Sequence, residues 1–163
     1  MGFFNRVFGS KKKIGDPEET VFADTHPSSD SEIGLDAKTA SQILSELDID
    51  TAIAAHERWK QRLLDYVNAQ SDEVLQPEVV CMDDRCDLGK WLYGAGGKRL
   101  GQYPAFSVLV ARHQYFHAQA SNVVILTQQQ RKDEAMKLID GQYSYASKQV
   151  VLLLKELKRG LVR

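Results

Sequence analysis

Between Pro104 and Val124, the residues Phe106, Leu109, Val110, His113, Phe116, His117, Ala120 and Val124 recur at three- and four-residue steps. That spacing lines them along one face of a helix, and Pro104 suits the first turn of it. The face is apolar enough to be a core stripe, yet it carries His113 and His117 one turn apart, roughly 6 Å along the axis. Two imidazoles in a core are costly to leave without partners. A fold that buries this stripe must give both rings something to bind, and a metal ion can use both at once. A His-x-x-x-His pair alone is a weak signal, and it lacks the intervening Glu of a zinc-protease helix, so it gives no argument for hydrolysis.

Two further residues complete a donor set. His56 lies in the middle of a second apolar stripe, Ala52, His56, Trp59, Leu63 and Tyr66, on a helix expected to start behind an Asp48 N-cap and run to about Gln70. Alone, it reads as a core histidine satisfied by a hydrogen bond; in the company of the other donors it reads as a ligand. Cys86 opens Cys86-Asp87-Leu88-Gly89-Lys90-Trp91-Leu92-Tyr93-Gly94, a short helix through Tyr93. Gly94, Gly96 and Gly97 are expected to end that helix in a tight reversal that uses positive φ. His56, Cys86, His113 and His117 together offer three imidazoles and one thiolate, a closed tetrahedral set that suits zinc. Cys81 lacks this context and reads as a partly buried small hydrophobe. Asp83 and Asp84 have two readings, as acceptors that tune Cys86 or as solvated loop acids.

The rest of the chain divides by composition. Residues 1–13 place Phe3, Phe4, Val7 and Phe8 at helical spacing with Arg6, Lys11, Lys12 and Lys13, a short amphipathic basic segment able to touch an anionic membrane surface or a partner's groove. Residues 14–35 form an acidic flexible linker, broken by Pro17 and Pro27, in which His26 reads as solvent-exposed. Residues 36–163 are expected to form the zinc-binding bundle. A lead-in helix carries Ile43, Leu44 and Leu47, and residues 71–85 read as a connecting loop with about one turn of helix. A last helix is expected from near Asp133 to Arg159, with Met136, Ile139, Tyr143, Ala146, Val150, Leu153 and Leu157 as its seam. Val151, Leu152 and Leu154 widen that face and point to a homodimer, with an ordinary wide core stripe as the alternative. The fold class is all-α, an antiparallel four-helix bundle with a short extra helix and a disordered N-terminal tail.

Composition removes several function classes. A net charge of −1 leaves no strong nucleic-acid footprint. Hydrophobic residues make up 43% of the 163, without an uninterrupted run long enough to span a bilayer. The N-terminus lacks the apolar core of a secretory signal, which places the chain in the cytoplasm, with peripheral contact at the inner membrane through residues 1–13 as a further expectation. Cys81 and Cys86 are too few for a disulfide framework. A closed four-donor site has no open metal position, so no enzyme is expected. A phosphotransfer bundle would need an exposed histidine.

His56-x-x-Trp59, then Cys86-x-Leu88-Gly89-x-Trp91-x-Tyr93-Gly94, then His113-x-x-Phe116-His117 closely resemble the chemoreceptor zinc-binding domain family, CZB, over roughly residues 48 to 158. The resemblance implies that His56, Cys86, His113 and His117 are the zinc ligands of a four-helix bundle that is often dimeric. Family members are attached to chemoreceptors and diguanylate cyclases and regulate signalling in response to zinc or oxidants such as hypochlorous acid. This chain carries neither chemoreceptor signalling helices nor a cyclase domain. It is therefore expected to act in trans on a chemoreceptor, kinase or diguanylate cyclase, in chemotaxis or cyclic-di-GMP control. A zinc-stapled interaction module without sensing is the alternative.

Overall fold

The structure, a computed structural model, describes residues 35–162, whose regular secondary structure is all helical, with no strand among the described residues. The expectations for residues 1–13, for the linker and for His26 fall outside the described residues. Leu35, assigned to the linker from composition, packs against the core.

The local signals for the first helices are borne out. Helix α1 (Ala37–Glu46) starts where the Asp36 carboxylate accepts the Thr39 N–H at 2.9 Å, and buries Ile43 completely. Helix α2 (Ile49–Val67) starts behind Asp48, which accepts the Thr51 N–H at 3.0 Å and the Thr51 hydroxyl at 2.6 Å. It buries Ala52, Ile53, His56, Leu63 and Val67, and ends at Val67 rather than near Gln70. A residue with positive φ, Ala69 at 51°, closes it. One short helix, α3 (Pro77–Val80), interrupts the connection that follows.

The glycine-rich stretch ends the helix behind Cys86 as expected, but not by the expected backbone geometry. Helix α4 (Asp87–Trp91) is broken from α5 (Gly97–Leu100) by a kink at Gly94, where the backbone is non-helical. Gly94 has φ −106° and Gly97 φ −61°, so no positive φ is used. Gly96 is there for room: a Cβ on it would lie 2.8 Å from the Trp91 ring. Buried Trp91 and Leu92 hold this segment to the core.

Helix α6 (Pro104–Gln128) begins at Pro104 and buries Phe106, Leu109, His113, Phe116, His117, Ala120 and Val124, the expected stripe except for Val110, which is half-buried. The single last helix divides in two. Helix α7 (Lys132–Leu138) and helix α8 (Ser144–Leu161) are divided by a kink at Gly141, where φ −95° and ψ −106° are non-helical. The Ser144 hydroxyl donates to the Ile139 carbonyl at 2.7 Å across the kink. Beyond the kink the core-facing residues step by four, Ala146, Val150 and Leu154, and resume at Leu161. Leu153 and Leu157, expected in the seam, are only half-buried.

Helices α2, α6 and α8 pack on one another, α7 lies on α6, and α3 lies on α6. Phe116, Val123, Val124, Ile139, Tyr143, Ala146 and Leu154 form the fully buried centre. The two histidines of α6 and the one of α2 belong to the same buried layer.

Candidate metal centre

Buried among these helices, the three imidazoles meet. His56 is 4% exposed, His113 0% and His117 4%, and their ligand atoms lie within 4.8 Å of one another. The His113 and His117 rings are 4.7 Å apart between centroids, and those of His56 and His113 5.4 Å apart. Phe116 packs on His56 and His117 from the same helix, at 4.8 and 5.3 Å. The i, i+4 spacing on α6 brings its pair together, whereas only the packing of α2 on α6 brings His56 to them.

Hydrogen bonds fix which ring nitrogen faces inward. His56 Nδ1 donates to the Ala52 carbonyl at 2.7 Å, and His117 Nδ1 donates to the Val80 carbonyl at the end of α3, at 2.8 Å. A carbonyl only accepts, so both rings carry their proton on Nδ1 and a lone pair on Nε2. Both Nε2 atoms are buried without a hydrogen-bond partner. His113 turns Nε2 toward Cys86, 3.2 Å from Sγ, and its Nδ1 is buried without a hydrogen bond, 3.7 Å from Asp83 Oδ2.

The rings are held neutral. Burial pulls all three pKa values below the ordinary histidine value, and at His113 burial, reinforced by His117 and His56, lowers it to about 2. For His56 the Ala52 carbonyl opposes burial, and for His117 the Val80 carbonyl and Asp83 do so. A neutral imidazole with an inward lone pair is the form that binds a metal.

Cys86 is the N-cap of α4, where its sulfur accepts the Gly89 N–H at 3.2 Å. The thiol can donate to the Asp83 carbonyl, with sulfur and oxygen 3.8 Å apart. Burial raises the thiol pKa, and the Gly89 and Leu88 N–H groups oppose that rise. The sulfur meets the cluster through His113. Sulfur and nitrogen on one tetrahedral zinc would be about 3.5 Å apart, close to the 3.2 Å seen between Cys86 and His113.

These residues fit a zinc ion. Leaving buried acceptors unpaired costs about 1–3 kcal/mol each, and one ion would satisfy Nε2 of both His56 and His117; the structure gathers the three histidines, while Cys86 is in contact with His113 alone among them. Outer hydrogen bonds that hold ligating imidazoles are the usual support of such sites. A cavity of about 320 Å³ lies beside the centre, lined among others by Trp59, Arg62, Glu73, Cys86 and His117. The Arg62 guanidinium lies 4.1 Å over the Trp59 ring and pairs with Glu73.

Sequence reasoning missed the Val80 carbonyl behind His117, and it offered Asp83 as an acceptor for Cys86 rather than as the group facing His113. Both reach α6 from the connection between α2 and α4, and no sequence periodicity marks such contacts. Asp83 is half-buried, so it is not a wholly solvated loop acid. Cys81 is exposed, not partly buried; its thiol donates to the Glu78 carbonyl at 3.2 Å, away from any apolar stripe.

Comparison with known proteins gives one finding. Residues 56–124 match the family model of the chemoreceptor zinc-binding domain, CZB, a stretch that begins on His56 and includes Cys86, His113 and His117. No curated protein and no solved structure gave a match. Among the described residues, no helix is long and apolar enough to cross a membrane.

Proposed function

We propose that this chain, whose residues 56–124 match the chemoreceptor zinc-binding domain, is a zinc-dependent regulatory protein in which His56, Cys86, His113 and His117 hold one zinc ion. The observation that carries this reading is the set of buried imidazoles, their ligand atoms within 4.8 Å of one another, with the inward nitrogens of His56 and His117 free of hydrogen bonds. Bound zinc would supply a clamp between α2, α4 and α6 and hold Cys86 as thiolate.

Regulation follows from where the donors sit. They come from three separate elements, so occupancy changes how firmly α2, the α4 N-terminus and α6 are tied. Loss of Cys86 from the set would loosen the α4 attachment first, because Cys86 is also its N-cap. Hypochlorous acid is the oxidant that the CZB resemblance suggests: thiolate attack breaks the oxygen–chlorine bond, chloride leaves and sulfenic acid remains on Cys86. The cavity beside Cys86 and His117 offers a small oxidant a path to the sulfur. The protein then signals to a chemoreceptor, kinase or cyclase, as a homodimer and without catalysis of its own. The architecture that accompanies this reading is an antiparallel four-helix bundle over residues 36–163, with residues 1–13 as the segment for a membrane surface or partner.

The test is zinc content and affinity of purified protein, with Cys86→Ser alongside and a hypochlorous acid pulse on each. The proposal expects about one zinc per chain, weaker binding by Cys86→Ser, and release only from the wild type. Retention of zinc through the pulse would make the domain a metal-stapled interaction module. Absence of zinc binding would overturn the ligand assignment.

A further inference from the structure

His56 and His117 each have a carbonyl behind Nδ1, and His113, the most deeply buried of the three, has none. Its Nδ1 is without a hydrogen bond, and the group facing it is the Asp83 carboxylate, with Oδ2 at 3.7 Å. That separation is longer than a hydrogen bond and short enough for a small side-chain rotation to close. The same Oδ2 accepts the Tyr93 hydroxyl at 2.6 Å, and the Tyr93 oxygen accepts Gln114 Nε2 at 2.8 Å. Gln114 adjoins His113 on α6, so the series returns to the helix it started from.

Asp83 is also fixed through its backbone. Its carbonyl lies where a Cβ on Gly89 would come within 1.7 Å, which requires glycine at that position, and the Cys86 thiol faces the same oxygen at 3.8 Å. The residue therefore joins the thiol-bearing turn to the imidazole that the thiol touches.

We propose that Asp83 is the positioning residue of His113: anchored by Tyr93 and Gln114, its carboxylate holds the imidazole in the Nδ1–H tautomer and leaves the Nε2 lone pair facing Cys86 and the other two rings. This rests on the zinc reading above and deepens it. An ionised carboxylate accepts and never donates, so it selects one tautomer. Without it, His113 is free to carry its proton on Nε2, where it blocks the coordinating lone pair. Loss of such an outer acceptor typically weakens metal binding 10–100-fold.

Two readouts test this: long-range proton–nitrogen NMR of the imidazoles in metal-free protein, and zinc affinity by competition with a chromophoric chelator. In the wild type His113 is expected as the Nδ1–H form. Asp83→Asn, whose amide can also donate, is expected to populate the Nε2–H form and weaken zinc binding by about 10–100-fold. Asp83→Glu, which keeps a carboxylate, restores the wild-type tautomer, and Asp84→Asn changes neither readout. Tyr93→Phe, at a half-exposed side chain, shifts both readouts in the direction of Asp83→Asn by a smaller factor. If Asp83→Asn fails to fold, Tyr93→Phe decides by the same readouts. Wild-type tautomer and affinity in Asp83→Asn overturn the inference. Failure of the wild type to bind zinc would overturn the zinc reading instead, and the tautomer would still decide the role of Asp83.

Discussion

A buried imidazole is a poor choice for a core unless something binds it, and His113 is the sharpest case, with no exposure and no bond to Nδ1. His113→Leu should therefore raise the unfolding free energy of the metal-free protein, by about 1 kcal/mol, because an apolar group of similar size removes an unsatisfied polar one. The same substitution should abolish tight zinc binding. Denaturant melts with and without zinc check both, and a clearly destabilised metal-free variant would contradict the account. The depressed histidine pKa values also set an acid dependence. Below about pH 6.5 the unfolded chain takes up protons that the folded rings refuse, so stability falls with acid, by at most about 1.4 kcal/mol per pH unit for each ring. The metal-free protein should be insensitive above about pH 7.5 and lose stability progressively from pH 6.5 downward. The three histidines that meet in the structure were legible in the sequence because a histidine on an apolar stripe is conspicuous there. The groups behind the donors were not, since a carbonyl at Val80 has no sequence signature.

Among the elements, the turn from Asp83 to Gly89 is closed by a tight backbone approach. Gly89→Ala should push the Asp83 backbone away, because no backbone atom tolerates a Cβ at 1.7 Å. The expected result is a loss of roughly 2–4 kcal/mol of stability, in the range of severe overpacking, together with weaker zinc binding. Thermal melts and chelator competition would show it; near-wild-type values for both would contradict the close approach. Two helix starts were readable because Asp48 and Pro104 act within one turn. The break at Gly94 was readable from its glycines, although the expected positive φ is not used. The break at Gly141 was not, because apolar residues continue on both sides of it at helical intervals.

For the whole molecule, zinc is expected to stabilise unevenly. The proposed donors lie on α2, on α6 and at the N-terminus of α4, whereas α8 carries none and packs on α2 and α6, burying Ala146, Val150 and Leu154. Chelation should lower the melting temperature, since a ligand that binds only the folded state stabilises it by mass action. Hydrogen exchange after chelation should speed most at residues 83–93 and around His56 and His113, and least in α8; uniform acceleration would count against a local clamp. By itself the sequence determined the helical class, the core-facing stripe of α6, the Asp48 cap and the candidate donors. Those features depend on spacing within a few turns, which chain order encodes directly. Only the tertiary structure decided that α2 brings His56 to α6, that Val80 holds His117 from 37 residues away, and that Asp83 faces His113. Such contacts form between separate elements, and their geometry comes from how the elements pack.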